Sequence, residues 1–589
     1  MTSAPGPTSP AARALHTASG SVAPEDPLLV ALRRLGYDGF RSGQRRAVET
    51  LLERRRLLFV APTGGGKSLV YQLPACLLTG TTLVVSPLIA LMSDQVMALE
   101  RRGIAATFLA STLPSDEIGR RMGLLARGAY KLVYVAPERL AFSGFQALMS
   151  DLNCPLVAID EAHCISEWGH DFRPEYMQID RLLARLPRAR VLACTATATP
   201  IVRDEILSRL RLPADTAQLI HGFERPNLVL AAREVQTQNE ARRHTDALLS
   251  QTLGPPDRAG SRRGADRPGT AIVYAPTRKR CDAEAERLRD EGWNADAYHA
   301  GLSAEQRDRV QGAFTRGEVR VVVATNAFGM GVDRSDVRAV IHLAPPGSIE
   351  AYYQEVGRAG RDGEAAHGLL LSSAKDIALR RRLLEADNDG RSPDPTLVEH
   401  KWNMFLELLR WAEGGSCRHT AILRYFGTEN PPEACGRCDV CTGLVDNGAQ
   451  QEEVTLIVRK ALSAVARVHG KFGLTMAAKL LHGDKDSKLE KSGLSQLSTF
   501  GVLSDKPIPW LVSLLRRCVT AGWVEFSAGD RPILFLNEKG KEVMRGTRHA
   551  RLSLPPERRA SHAGASQSSS AGASRSDTER GRSRNPAPA

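Results

Sequence analysis

Leu57-Leu-Phe-Val-Ala-Pro-Thr-Gly-Gly-Gly-Lys-Ser68 is the stretch that decides the fold. Leu57 to Val60 is a short apolar run suited to a buried strand, Gly64, Gly65 and Gly66 form a turn, and Lys67-Ser68 open a helix. Strand, glycine turn and helix N-terminus make the plan of a phosphate-binding loop. The glycines after Thr63 let successive backbone N–H groups converge on a phosphate, Lys67 carries charge to the outer phosphates, and the Ser68 hydroxyl is placed for Mg²⁺. Ala61 stands where the general pattern has its first glycine. A chance glycine-rich turn is the alternative, so the rest of the chain has to decide.

Outward from this loop, apolar runs alternate with helical stretches: Thr82 to Val85, Leu132 to Val135, Leu156 to Ile159 and Val191 to Ala193. That alternation predicts a parallel α/β sheet, whose ligands bind beyond the carboxyl ends of its strands. Leu156 to Ile159 runs straight into Asp160-Glu161-Ala162-His163. An aspartate there can hold Mg²⁺ and the adjacent glutamate can orient and deprotonate an attacking water. Upstream, Tyr37, Arg41 and Gln44 surround a Gly-rich loop; a Tyr ring can stack on a purine and a Gln amide can read adenine's edge, although a helix-capping loop has the same composition. Downstream, Trp168, Phe172 and Tyr176 repeat at i, i+4 and i+8. The bland reading is a helix packing stripe, but Gly169 and Pro174 interrupt it, and a loop carrying Trp168, His170, Phe172 and Arg173 suits base stacking and phosphate contact on single-stranded nucleic acid. Thr195-Ala-Thr197 is placed to link phosphate state to that loop through hydroxyl hydrogen bonds.

A second α/β rhythm, with strands near Thr270 to Tyr274, Val319 to Ala324 and Ala339 to His342, lacks a phosphate loop of its own. It ends in Gln354-Glu-Val-Gly-Arg358-Ala-Gly-Arg361, read as helical, which sets Arg358 and Arg361 on one face and able to neutralise a transferring phosphate across a cleft. A surface basic turn is the competing reading.

The whole chain has 589 residues, 42% of them hydrophobic, and 79 Lys plus Arg against 66 Asp plus Glu, a net charge of +13. Several domains with large cores fit that length, and the basic balance favours a polyanionic partner such as nucleic acid. No apolar run is long enough for a membrane span, so no membrane partner is expected. Ten cysteines are too few for a secreted disulfide scaffold. Four of them, Cys417, Cys435, Cys438 and Cys441, are spaced Cys-x17-Cys-x2-Cys-x2-Cys after a helical stretch from Trp402 to Trp411, a pattern that suits a structural Zn²⁺ or the start of an iron–sulfur run. Residues 450–545 read as helices followed by a hairpin around Ala528-Gly-Asp530, a winged helix with Lys485, Lys488, Arg516 and Arg517 available for duplex phosphates. Residues 252–270 read as a solvated insertion, and both termini as disordered, the last 39 residues carrying seven arginines against three acids.

Phe40-Arg-Ser-Gly-Gln44, Ser86-Pro-Leu-Ile-Ala-Leu-Met-Ser-Asp-Gln95, Asp160-Glu-Ala-His-Cys-Ile-Ser-Glu-Trp168, Ala324-Thr-Asn-Ala-Phe-Gly-Met-Gly-Val-Asp333 and Tyr352-Tyr-Gln-Glu-Val-Gly-Arg-Ala-Gly-Arg361 resemble the motifs of superfamily 2 helicases, and in wording the RecQ family. The resemblance covers roughly residues 30 to 545. It implies an ATP-dependent DNA helicase moving 3′ to 5′ and serving recombination and repair, the alternatives being a nucleotide-gated DNA-binding or annealing protein and a translocase that does not unwind. It implies two RecA-like lobes, 26–212 and 213–372, a zinc-binding subdomain at 373–446 and a winged helix at 447–547, between tails at 1–25 and 548–589. ATP would meet Tyr37, Arg41, Gln44, Thr63 to Ser68 and Asp333; Mg²⁺ would meet Ser68 and Asp160; Lys67, Asp160, Glu161, Arg358 and Arg361 would carry the chemistry. Zinc is the metal implied for the four cysteines, and DNA, with a single-stranded-DNA-binding protein as a candidate, is the implied partner. A cytoplasmic location is expected, nucleoid-associated if the source is bacterial. The helicase-and-RNase-D C-terminal module of many relatives is not recognisable in the basic tail, and the Gly-Asp hairpin tip lacks the aromatic ring expected of a strand-separating wedge.

Overall fold

The computed structural model describes residues 25–169, 171–256, 269–328, 334–386, 394–445, 448–526, 533–550, 552, 554 and 555. His170, Asp333, the Gly529-Asp530 hairpin tip, both tails and most of the 252–270 insertion lie outside the described residues.

The first sheet holds seven parallel strands, β1 (Arg56–Val60), β2 (Thr82–Val85), β3 (Ala106–Leu109), β4 (Leu132–Val135), β5 (Leu156–Ile159), β6 (Arg190–Thr195) and β7 (Ala217–Ile220), in the order β3-β4-β2-β5-β6-β1-β7. Its central strands are continuous apolar runs because helices cover both faces. Alternation sends Leu58 and Val60 into one core and Leu57 and Phe59 into the other. The phosphate loop leaves β1 at the middle of this sheet.

The second sheet holds β8 (Leu228–Glu234), β9 (Thr270–Tyr274), β10 (Ala295–Tyr298), β11 (Val321–Ala324), β12 (Val337–His342) and β13 (Ala366–Ser372), all parallel, in the order β10-β11-β9-β12-β13-β8. One apolar cluster runs unbroken from the first lobe through Tyr352, Val356 and Phe223 to Leu408, Trp411 and Phe426 of the helical segment beyond. The expected lobe boundary after residue 212 falls one strand too early. β7 pairs with β1, Leu57 opposite Ala217 and Val60 opposite Ile220, so the first lobe extends through Ile220. An edge strand half exposed to water carries too weak an apolar signal to be read in advance.

Helix Pro395–Glu413 leads to the four cysteines, and helix Gly448–Val468 opens a separate helical core closed by the antiparallel pair β14 (Val524–Phe526) and β15 (Leu534–Leu536). This is the expected winged-helix order of helices and hairpin. Among the described residues no helix is long and apolar enough to cross a membrane.

Candidate functional site

Gly64 and Gly66 both take left-handed backbone, φ +81° and +75°, and a Cβ on Gly66 would lie 2.1 Å from Gln44 Nε2. Only glycine fits there. The helix Leu69–Leu77 starts immediately after Ser68, so its unpaired N–H groups face the loop. Lys67 Nζ donates to the carbonyls of Ala61 at 3.2 Å and Pro62 at 3.5 Å, folding the ammonium back over the strand end where a phosphate would compete for it.

Gln44 is buried and fastened to this loop. Its Oε1 accepts from the Arg41 N–H at 2.7 Å and its Nε2 donates to Gly66 O at 3.1 Å, while Arg41 Nη1 donates to Gly64 O. Tyr37 stands half out in solvent with the Arg102 guanidinium 5.0 Å from its ring centre. Arg41 and Gln44 are thus brought to the phosphate loop, whereas the contact given for the Tyr37 ring is with Arg102.

β5 delivers Asp160 and Glu161 to the same end of the sheet. Burial, with Glu161 beside it, pushes Asp160 up to about 6, while Lys67 pulls it down. Asp160 Oδ1 accepts from the Glu161 N–H at 3.0 Å and from Cys194 Sγ at 3.5 Å. A buried carboxylate beside a hydroxyl-bearing loop and a second carboxylate is a donor set of hard oxygens, which fits Mg²⁺. Glu161 itself has φ +46°, strained backbone for a side-chain-bearing residue, and its Oε2 lies 3.3 Å from His163 Nδ1.

From His163 a chain of contacts leads to the aromatic loop. His163 Nδ1 lies 2.8 Å from Thr195 Oγ1, which donates to Thr197 O at 3.2 Å. The helix that follows, Pro200–Arg209, holds the loop's base through Ser166 Oγ to Glu205 at 2.5 Å and Arg209 to Glu167 at 2.9 Å. Thr195 thus touches His163 directly, and the helix that follows the threonines in the chain holds Ser166 and Glu167. Trp168 is 52% exposed and stands edge-on to His400 at 4.9 Å, whose ring lies 3.2 Å from Trp168 O. Phe172 is partly buried, and Arg173 donates to Pro87 O at 3.2 Å and pairs with Asp171. Tyr176 is fully buried, its hydroxyl donating to Asp160 O at 2.9 Å. A continuous helical stripe is thereby overturned: the described residues 166–169 and 171–173 are not helical, and of the three aromatics Tyr176 alone is fully buried.

The second lobe brings Arg361 against Gly64, its Cγ and Cδ 3.2 Å from where a Cβ would sit. Arg358 points elsewhere, buried, with Nε donating to the Tyr274 hydroxyl at 3.1 Å. The shared helical face expected of these two arginines does not exist. Helix Ile349–Val356 ends before them, Gly360 takes φ +61°, and Arg225 and Asn227 bind the carbonyls of Gly357, Ala359 and Gly360 that the turn leaves open.

Cys417, Cys435, Cys438 and Cys441 put four Sγ atoms within 4.8 Å of one another, with pairs at 4.0 Å. Zinc–sulfur bonds of ~2.3 Å in a tetrahedron need sulfurs about 3.8 Å apart, so the set fits zinc. Backbone N–H groups of Cys435 and Cys438 donate to Cys417 Sγ and Cys435 Sγ, both at 3.3 Å, as thiolates require. Against burial, hydrogen bonds from Thr420 and Cys435 bring Cys417 down to about 6. His419 is not a ligand: it binds Leu228 O at 3.0 Å, and burial lowers it to about 4. Next to the cysteines, Asp439 pairs with the buried Arg418 at 2.9 Å and accepts from the β8 Ala232 N–H at 3.0 Å.

Lys485 and Lys488 are exposed on the winged helix, as a duplex contact needs. Arg516 and Arg517 are not available to DNA. Arg517 pairs with Glu234 at the end of β8, and Arg516 bridges Glu234 at 3.3 Å and Glu413 at 2.8 Å, with both glutamates about 95% buried. The expectation fails because partners more than 100 residues away claim both guanidiniums. Glu234→Ala would remove the carboxylate that Arg517 pairs with and leave Arg516 on Glu413, an expected loss of about 3 kcal/mol at the joint. Limited proteolysis between residues 445 and 450 should then accelerate; an unchanged cleavage rate and melting curve would count against the joint.

Four family models match: DEAD/DEAH box helicase over residues 41–205, helicase conserved C-terminal domain over 261–363, RecQ zinc-binding over 374–442 and RQC domain over 448–561. The chain is 39% identical over 513 residues to the ATP-dependent DNA helicase RecQ of Bacillus subtilis, 87% of this chain and 82% of that one. It is 38% identical to the protein of the same name in Pasteurella multocida, over 88% of this chain and 78% of that one. It is 35% identical to the RecQ-like DNA helicase BLM of Xenopus laevis, over 78% of this chain and 34% of that much longer protein.

Proposed function

This chain belongs to the RecQ family of ATP-dependent DNA helicases, and on that premise we propose how its residues divide the work. Gly64 to Ser68 hold the triphosphate, with Thr63 in the same turn, Lys67 on the outer phosphates and Ser68 with Asp160 holding Mg²⁺. Mg²⁺ supplies charge neutralisation at the transferring phosphate. Tyr37, Arg41 and Gln44 clasp the adenine, and Glu161 orients and deprotonates the attacking water. The second lobe closes Arg361 onto the phosphate, while Arg358 positions the turn through Tyr274. Asp333 remains the proposed second-lobe contact to the nucleotide.

The observation that carries this reading is Arg361 filling the space that a side chain on Gly64 would need, a second-lobe cation set against a first-lobe phosphate loop. Hydrolysis removes the charge that draws the two together, and the lobes part. The path from Glu161 through His163, Thr195 and helix Pro200–Arg209 to Ser166 supports a coupling of that cycle to the loop of Trp168, His170, Phe172 and Arg173, which would grip single-stranded DNA. We propose 3′ to 5′ translocation, service in recombination and repair, a single-stranded-DNA-binding protein as a candidate partner and a cytoplasmic location, nucleoid-associated if the source is bacterial, on family membership. The proposed domains are lobe 1 to residue 220, lobe 2 to 372, the zinc-binding segment to 446 and the winged helix to 547.

The test is strand release from a labelled fork with a 3′ single-stranded arm in Mg·ATP, wild type against Glu161→Gln. Wild type should separate the strands, and the variant should lose about two orders of magnitude in rate. Equal rates would remove Glu161 from its role; hydrolysis without release would make the protein a translocase.

A further inference from the structure

The aromatic loop and the Asp160–His163 strand end bring together three side chains that the hydrolysis scheme does not use as ligands. His163 turns Nε2 toward Cys164 Sγ at 3.8 Å, and Cys164 Sγ lies 3.8 Å from Asp171 Oδ2. All three donor atoms fall within 4.8 Å of one another. Bonds of ~2.3 Å to sulfur and ~2.0 Å to nitrogen or oxygen place tetrahedral donors about 3.5 Å apart, so a closure of a few tenths of an ångström would complete three corners. The imidazole is held by its other nitrogen, Nδ1, on Thr195 Oγ1 at 2.8 Å and near Glu161 Oε2 at 3.3 Å, the kind of outer support that fixes a ligating histidine. Arg173 lies 3.2 Å from the same Asp171 oxygen, and the Asp171 side chain is 42% exposed, which leaves an entry path.

We propose that His163, Cys164 and Asp171 form an inhibitory site for a borderline-soft divalent cation, Zn²⁺ foremost, whose binding clamps the aromatic loop to the catalytic strand end. The mixed nitrogen, sulfur and oxygen set selects Zn²⁺ over Mg²⁺, which takes oxygens in an octahedron. Binding displaces the Cys164 thiol proton to solvent and joins Asp171, on the loop, to His163 and Cys164 at its root. A loop so tied cannot rearrange when DNA arrives. The inhibitory consequence rests on the loop's coupling role; the binding itself does not.

The experiment uses full-length protein already loaded with its structural zinc. Free Zn²⁺ is set by a chelator buffer across the micromolar range, zinc per chain is counted by elemental analysis, and ATPase is read with and without single-stranded DNA. Wild type should take up a second equivalent and lose DNA stimulation about ten-fold, the size of an ordinary coupling between sites. Cys164→Ser should weaken that equivalent about ten-fold or more, and Asp171→Ala repeats the test without touching the core. Each variant is compared with its own zinc-poor activity. The proposal is overturned if wild type stays at one equivalent, if either variant keeps the second with wild-type affinity, or if the second ion leaves DNA stimulation unchanged. Absence of DNA stimulation in the zinc-poor wild type would instead sink the coupling role, with the count of bound zinc still testing the site.

Discussion

Arg361→Ala should lower the DNA-stimulated rate of ATP hydrolysis about 10³-fold, the loss typical of an arginine supplied to a transferring phosphate, or about 4 kcal/mol of transition-state stabilisation. The side chain lies along Gly64 with its methylenes at 3.2 Å from the Cβ direction. Its Nε lies 3.4 Å from that same point, so the charged end of the side chain is carried at the phosphate loop. The effect should fall on turnover rather than ATP affinity, since a contact made at closure stabilises the transition state more than the ground state. Arg361→Lys should recover little, because a lysine lacks the planar fork. Arg358→Ala should behave differently: its loss leaves the Tyr274 hydroxyl and the turn disturbed, so melting temperature should drop along with activity. Single-turnover hydrolysis measured within three-fold of wild type in Arg361→Ala would remove that residue from the chemistry.

The second large effect is expected from the metal. Cys438 is fully buried and its sulfur accepts from the Arg418 and Cys441 N–H groups, both at 3.5 Å. Cys438→Ser should release the zinc and with it binding energy on the order of 10 kcal/mol that also folds the segment. The damage should spread. Asp439, one residue on, ties Arg418 and Ala232 N, and helix Pro395–Glu413 ends at the Glu413 that holds Arg516. Elemental analysis should show one zinc fewer per chain, and duplex binding should weaken as the wing loosens. A variant with unchanged melting behaviour and duplex affinity would mean that the sulfurs are bystanders. The same elemental analysis of wild type separates zinc from an iron–sulfur cluster.

Much of this architecture is written in local signals. Leu57 to Val60, Thr82 to Val85 and Leu132 to Val135 announce themselves as buried parallel strands because both faces are covered, leaving unbroken apolar runs. β7 and β8 do not, since edge positions tolerate Gln218 and Arg233. The phosphate loop, Asp160-Glu161 and the cysteine spacing are legible because chemistry fixes their residue types at short separations. What escapes is whatever depends on a distant partner. Arg358 and Arg361 look equivalent until Gly360 reverses the chain and Tyr274 claims one of them. Arg516 and Arg517 look like phosphate contacts until Glu234, some 280 positions earlier, is seen to pair with both. Asp171 gives no sign that it meets Cys164, because a loop's return path is not encoded in periodicity.

That joint between Glu234, Glu413, Arg516 and Arg517 has a mechanical consequence. It ties the winged helix to the second lobe's edge strand and to the end of the helix that leads to the zinc segment. In the proposed cycle, when Arg361 approaches and leaves Gly64 the winged helix should swing with the second lobe, and a duplex held there would be carried past the first lobe by the same stroke. Force generated at the nucleotide would then reach the double helix through an ionic rivet remote from the nucleotide, and the stiffness of that rivet would set how much of each stroke arrives as separated base pairs.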